Sequence, residues 1–172
     1  MIPEKCTFCG DRIIKPLGSP EAPLYIFGPY PGKDELYKGI PWCGPAGKVL
    51  KSELLRAGVH QNYYRLSNVW LHGKKNDKED LGQHVDWLLA DMKRAKVVLM
   101  MGGLPANLFM DSNITDITGL VVKPKHFPKN IDTVVAVYNP AKVIIGDAAT
   151  RTVGEVRHGI QVFARYAKEY CR

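Results

Sequence analysis

The sequence predicts an α/β protein, a three-layer α/β/α sandwich built on a mainly parallel, four-stranded sheet. Short apolar runs that suit strands alternate along the chain with stretches of helical apolar spacing. This alternation is typical of parallel sheets with helices on both faces. One run, Val97 to Met101, is apolar throughout, as expected of a central strand that is buried on both sides.

The first half of the chain begins with an irregular stretch, residues 1–23, which contains four prolines. A buried strand is predicted at residues 24–27, where an apolar run ends in a Gly/Pro turn. A helix is predicted over residues 47–57, because four apolar residues share one face and Gly58 supplies a C-terminal stop. A second strand is predicted over residues 63–71.

The second half continues the alternation. Residues 80–94 place five apolar side chains on one helical face. The remaining predicted elements, in chain order, are a strand at 97–101, a short helix at 104–110, a short strand near 120–122 in a loop-rich segment, a strand at 133–137 and a closing helix at 151–170. Neither a repeat nor a long linker interrupts the chain, so residues 1–172 are predicted to form a single domain.

Composition and charge exclude several classes of protein. With 45% hydrophobic and 24% charged residues, the chain is unlike a disordered, collagen-like or coiled-coil sequence. No apolar run approaches the roughly 20 residues needed to cross a bilayer, and the N-terminus lacks a signal-peptide core, so we expect a cytoplasmic protein. The net charge of +7 indicates an anionic partner, with nucleic acid the first candidate.

Ligands of open parallel sheets bind at the carboxyl ends of the strands, so the residues that follow each strand are candidates. Trp42 lies in a Gly/Pro-rich segment, residues 39–48, and is either a core tryptophan or a face for a planar ligand. Asn68 ends the second strand and either caps a turn or hydrogen bonds a base edge. Residues 138–146 form either an ordinary loop or an apolar tip that enters a duplex beside Lys142.

The segments resemble, in order, motifs of the uracil-DNA glycosylase superfamily, and are most similar to its family 4. Residues 28–35 (GPYPGKDE) match a loop of the form G-E-x-P-G-x-x-E-D. Residues 39–50 (GIPWCGPAGKVL) match G-R-P-F-V-G-P-A-G-K-L-L and are the most specific signal. Ser67 and Asn68 match a strand that ends in T-N, and residues 139–141 match the late H-P-S/A loop.

This resemblance implies a hydrolase of DNA repair that flips a base out of DNA and excises it. Trp42 would stack on the base in place of the family's Phe, Asn68 would hydrogen bond its edge, and Tyr30 would lie at the pocket rim. Two departures affect catalysis, because the family's first-loop acid falls on Pro29 and its late-loop His falls on Asn139. Asp34 or Glu35 is then left to position the water or stabilise the sugar, a role that the family does not assign to them, and the residues predicted as catalytic are Asp34 and Asn139.

DNA containing a damaged or modified base is the partner that the resemblance implies, and we expect the protein to act as a monomer. The cations predicted to contact phosphates are Lys48, Lys142 and Arg151, with Arg157 nearby in the closing helix. The first prediction for function is a glycosylase acting on uracil or a modified pyrimidine. The alternatives are a non-catalytic DNA-binding or regulatory member of the fold and, with less support, a nucleotide-binding redox domain.

A metal site is predicted where family 4 holds a four-iron–four-sulfur cluster on four cysteines. Cys6 and Cys9 have the C-x-x-C spacing of a metal or redox pair and match the first two ligands. The resemblance places His72 on the third ligand position and His84 on the fourth. Two thiolates with two imidazoles suit tetrahedral zinc better than an iron cluster. We therefore predict a structural zinc, with two surface histidines and idle thiols as the alternative.

Overall fold

A computed structural model describes residues 2–141 and 149–171 of the chain, without the side chains of residues 149–152. Lys142 and the side chain of Arg151, both predicted to contact DNA, lie outside the described residues. The elements in chain order are β1 (Leu24–Gly28), α1 (Lys33–Lys38), α2 (Pro45–Arg56), a 3-10 turn (Gln61–Tyr63), β2 (Tyr64–Asn68), α3 (Lys78–Asp91), β3 (Val97–Met101), α4 (Gly103–Met110), α5 (Ile114–Ile117), β4 (Val121–Val122), β5 (Thr133–Val137) and α6 (Ala149–Ala167).

Within the described residues, the strands form one sheet of five in the order β2-β1-β3-β5-β4. The pairs β1–β2, β1–β3 and β3–β5 are parallel, as the alternation of elements predicted. The sheet exceeds the predicted four strands by the two-residue β4, which pairs antiparallel with β5. This strand lies within the short strand predicted near residues 120–122, which the predicted count of four left out of the sheet.

Alternate side chains of the central strands face two hydrophobic cores. In β1, Leu24 and Ile26 pack on the side of α2 and α6, whereas Tyr25 and Phe27 pack on the side of α3 and α4. All five residues of β3 are buried, since both faces of this strand are covered by helices. The three-layer α/β/α sandwich that the sequence predicts is therefore confirmed.

The predicted second strand was too long. β2 ends at Asn68, but Val69, Trp70 and Leu71 remain buried and extend the apolar run beyond the strand. The backbone N–H groups of Val69 and Trp70 donate to the carbonyls of Gly28 and Pro29, at 2.8 and 3.0 Å. The contact between β1 and β2 therefore continues past both strand ends, into the loops that carry the candidate site.

The strand order reverses at β1, since β2 lies on one side of it and β3 on the other. In open α/β sheets this arrangement creates a crevice at the carboxyl ends of the strands. No helix among the described residues has both the length and the apolarity to cross a membrane.

Candidate active site and metal centre

A cavity of about 420 Å³ lies at the carboxyl ends of β1, β2 and β5. This volume is within the roughly 300–1,000 Å³ of small-molecule sites. The structure brings five of the predicted site residues to this one cavity, although they are separated by up to 109 positions in the chain. They are Tyr30, Asp34, Trp42, Asn68 and Asn139.

Trp42 is fixed in the cavity wall by its backbone and by its indole. Its φ of 57° lies in the left-handed region, which is unusual for a residue other than glycine. The indole Nε1–H donates to the carbonyl of Ser67 at 2.8 Å. Gly28 and Gly47 leave the necessary space, because an added Cβ would lie 2.7 Å from the Trp42 ring and 2.0 Å from its carbonyl oxygen. Trp42 is thus both a buried core residue and a wall of the cavity.

Asn68 is the last residue of β2 and its side chain is only 5% exposed. Its Oδ1 lies near the tip of β1, since a Cβ added to Gly28 would approach it to 3.1 Å. Within the described residues the Asn68 amide forms no hydrogen bond, and its side chain lines the cavity. A buried amide can donate and accept, so this one is available to a ligand in the cavity.

Helix α1, which the sequence did not predict, brings two carboxylates to the cavity. Glu35 is buried, and its Oε1 accepts a hydrogen bond from the N–H of Gly44 at 2.9 Å, at the start of α2. Asp34 is exposed, and its carboxylate has no recorded partner among the described residues. Glu35 therefore holds the cavity wall together, whereas Asp34 is free to interact with water or a ligand.

The rim of the cavity carries Tyr30 and Asn139. Tyr30 is 48% exposed, and the Nζ of Lys74 lies 6.0 Å from the centre of its ring. The Oδ1 of Asn139 accepts from the N–H of Ala141 at 2.9 Å, which closes a tight turn after β5. The side-chain oxygen of Asn139 is thus engaged, and its amide nitrogen is the atom left for a ligand.

Lys48 and Arg157, two of the cations predicted to contact phosphates, lie in different surroundings. Lys48 is exposed in the first turn of α2, the helix whose first two residues line the cavity. The guanidinium of Arg157 instead forms two hydrogen bonds with Glu53, at 2.9 and 3.1 Å. This pairing raises the pKa of Arg157 and lowers the pKa of Glu53. Arg157 is therefore part of the contact between α6 and α2 rather than a free cation.

A second cluster of polar side chains lies behind the cavity wall, where the N-terminal loop meets α3. The loop turns tightly at Gly10, with φ 72°, and the N–H of Cys6 donates to the carbonyl of Asp11 at 2.8 Å. A further bond from the N–H of Ile14 to the carbonyl of Leu71 joins the loop to the chain after β2. These bonds bring the Cys6 and Cys9 side chains beside the residues that follow Asn68.

Four residues, Cys6, Cys9, His72 and Asp80, each place a ligand atom within 4.8 Å of the others. His84 adjoins the group, with its Nε2 3.0 Å from His72 Nε2 and 3.2 Å from Asp80 Oδ1. The predicted ligands are thus brought together, with one addition. Asp80 was not among the predicted ligands, because that set contained cysteines and histidines alone. Its spacing of four residues from His84 nevertheless puts both side chains on one face of α3.

The cluster is buried except for Cys9. Burial lowers the pKa of His84 to about 4, aided by His72 and opposed by Asp80, so the ring is neutral at neutral pH. Burial likewise raises the pKa of the Cys6 thiol, which donates to Asp80 Oδ1 at 3.1 Å. Asp80 is only 1% exposed, and within the described residues it has no ion pair with a lysine or arginine.

The donor set fits one ion and does not fit the family's iron–sulfur cluster. A four-iron cluster requires four thiolates on separate irons, and only two cysteines are present here. Around a single tetrahedral ion, bonds of about 2.0–2.3 Å put neighbouring ligand atoms about 3.3–3.8 Å apart. The distances from Cys9 Sγ to His72 Nε2, 3.5 Å, and from His72 Nε2 to Asp80 Oδ2, 3.4 Å, fall in that range.

Comparison with known proteins agrees with this fold. Residues 15–153 match the uracil DNA glycosylase superfamily, and the chain belongs to that superfamily. It lies close to the family 4 branch, since it is 26% identical to the type-4 uracil-DNA glycosylase of Archaeoglobus fulgidus. The alignment is 140 residues long, and it covers 74% of this chain and 70% of the relative. The resemblance inferred from the sequence motifs is therefore confirmed.

Proposed function

We propose that this protein is a DNA glycosylase that excises uracil or a modified pyrimidine from DNA. The observation that carries the proposal is the buried Asn68, whose unpartnered amide lines the same cavity as Trp42. A flipped base offers a flat ring and an edge of donors and acceptors. The fixed aromatic ring of Trp42 is complementary to the flat face of such a base, and the free amide of Asn68 is complementary to its edge. The family membership of the chain and its type-4 relative support the same conclusion.

The base would bind in two ways at once. The Trp42 ring supplies a stacking face that needs little ordering, because the hydrogen bond to Ser67 already holds it. The Asn68 amide donates to a ring carbonyl and accepts from the adjacent ring N–H. Tyr30 at the rim would contact the ring position that carries a substituent in modified pyrimidines. Together these contacts favour an edge with a carbonyl beside a ring N–H, as in uracil, over the edges of cytosine and adenine.

Hydrolysis would use the free carboxylate of the cavity. Asp34 accepts a proton from a water molecule as the water oxygen bonds to C1′ of the sugar. The glycosidic bond breaks, and its electron pair leaves on the ring nitrogen of the base. Hydrogen bonds from the Asn68 and Asn139 amide N–H groups stabilise the negative charge on the departing base. Glu35 is not assigned this role, because it is buried and bonded to Gly44.

The second candidate is a non-catalytic DNA-binding member of the same superfamily. It is favoured by Pro29, which occupies the position of the family's first-loop acid and has no group that could activate water. In both cases the anionic partner is DNA, attracted by the net charge of +7 and by cations such as Lys48.

A panel of duplexes that each carry one candidate base separates these two functions. After incubation and alkaline treatment, an abasic site gives strand cleavage, so a glycosylase produces a cleaved strand for at least one base. Asp34→Asn should lower the single-turnover rate by about 10²- to 10⁴-fold, the usual contribution of a general base. Binding with no cleavage in any duplex would establish the non-catalytic function.

We also propose that the Cys/His/Asp cluster holds one structural zinc ion. Thiolate and imidazole donors suit zinc, and the buried, closed arrangement is typical of structural sites. The ion would join the N-terminal loop to the chain that follows β2. The purified protein should be colourless, contain about one zinc, and unfold at a lower temperature after chelation. A brown protein with iron and sulfide in equal amounts would contradict this assignment.

A further inference from the structure

The hydrogen bonds on the outer nitrogens of the two histidines determine which lone pairs face the cluster. His72 Nδ1 lies 2.8 Å from the backbone carbonyl of Gly73. A carbonyl oxygen can only accept, so Nδ1 carries the proton. In a neutral imidazole the lone pair then resides on Nε2, which points towards Cys9 and Asp80. His72 is thus set up as a metal ligand through Nε2.

His84 has the opposite arrangement. The backbone N–H of Leu71 donates to its Nδ1 at 3.1 Å, and a backbone N–H can only donate. The Nδ1 lone pair is therefore taken, and the proton of the neutral ring must reside on Nε2. A protonated nitrogen has no lone pair for a metal. The Nε2–H of His84 lies 3.0 Å from His72 Nε2 and 3.2 Å from Asp80 Oδ1, and with the His72 lone pair engaged by a metal, Asp80 Oδ1 is the acceptor that remains.

From these bonds we infer that the ligands of the ion are Cys6, Cys9, His72 and Asp80, and that His84 orients Asp80 without touching the metal. The inference rests on the metal site proposed above and specifies its chemistry. It replaces His84, the fourth ligand expected from the family motif, by the carboxylate one helical turn before it. Metal sites commonly hold their ligands through such outer hydrogen bonds.

The surroundings of Asp80 give independent support. A carboxylate that is 1% exposed is expensive unless a positive charge or several donors compensate it. Among the described residues, its donors are the Cys6 thiol and the Nε2–H of His84, its other close neighbour is the unprotonated Nε2 of His72, and it has no ion pair with a lysine or arginine. A divalent cation would supply the missing charge. On binding, both thiols would lose their protons to solvent, giving a site charge of −1 with neutral His72.

Matched substitutions on α3 test the ligand set. Asp80→Ala should reduce the bound zinc to well below one equivalent, as should Cys6→Ser. His84→Gln keeps a side-chain donor for Asp80, so it should retain one equivalent, with the affinity lowered by about 10- to 100-fold. Cobalt(II) loaded in place of zinc should give the same tetrahedral visible spectrum in His84→Gln as in the wild type. Loss of metal from His84→Gln but not from Asp80→Ala would overturn the inference.

Zinc-edge X-ray absorption on the wild-type protein gives a test that needs no variant to fold. We expect two sulfur ligands, one imidazole and one carboxylate oxygen, and two imidazoles would overturn the ligand set while leaving the zinc proposal intact. A wild-type protein that takes up neither zinc nor cobalt would overturn both. Base excision is scored separately on the duplex panel, so its failure is distinguishable from either result.

Discussion

Replacing Asn68 by alanine should separate base recognition from folding. In the wild type this amide is buried and lacks a recorded partner among the described residues, so its removal breaks no hydrogen bond within them. We therefore expect the free energy of unfolding to change by less than about 1 kcal/mol. The bound base, by contrast, loses two partners. At about 1–3 kcal/mol for each group left unpaired, the excision rate should fall by roughly 30- to 10⁴-fold.

The assay is single-turnover excision on the best duplex of the panel, with duplex affinity and urea unfolding measured in parallel. Duplex affinity should stay nearly constant, because phosphate contacts carry most of it. Asn62→Ala is the matched control, since Asn62 is exposed beside β2 and outside the cavity. If Asn68→Ala excises within threefold of the wild type, the assignment of the base-binding residue is wrong. A large loss of stability would show that the amide is structural instead.

Three further outcomes test the surroundings of the cavity. Trp42→Phe removes the indole hydrogen bond to the β2 backbone, and urea unfolding should show a loss of about 1–3 kcal/mol. DNA affinity should decline steeply with salt, and Lys48→Ala should reduce the log–log slope by about 1, whereas Lys93→Ala at the opposite end of the sheet should not. Arg157 lowers the pKa of Glu53 below its ordinary 4.5, so Glu53→Gln should be less stable than the wild type above pH 4.5. The difference in unfolding free energy between the two proteins should shrink as the pH falls through the lowered pKa of Glu53. A difference that stays constant in acid would contradict this prediction.

The centre of the sheet was predictable because β1 and β3 are continuous apolar runs. β1 and β3 are buried on both faces, so their sequences carry a signal that is independent of their neighbours. The end of β2 was not predictable, since Val69 and Trp70 are as buried as the strand itself. Helix α1 was missed because its six residues follow a Gly/Pro-rich loop and carry no apolar stripe.

The candidate site was predictable where a residue's position follows from the end of a strand. Asn68 is the last residue of β2 and Asn139 follows the end of β5 by two residues, and the carboxyl ends of these parallel strands share one edge of the sheet. The pairing of Arg157 with Glu53 depends on how α6 packs against α2, which no local pattern encodes. The roles of His72 and His84 depend on which backbone group meets each ring, and this information exists only in the folded chain.

The N-terminal loop has a practical consequence for how the protein is trimmed. The region that matches the superfamily begins at residue 15, after both Cys6 and Cys9. A recombinant chain shortened to that boundary would retain every strand and every side chain of the cavity. It would nevertheless leave His72, Asp80 and His84 facing a gap where two sulfur atoms had been. The cut would expose a buried carboxylate and remove the Cys6 thiol that donates to it, so poor expression of such a fragment would reflect the missing loop rather than an unstable sheet.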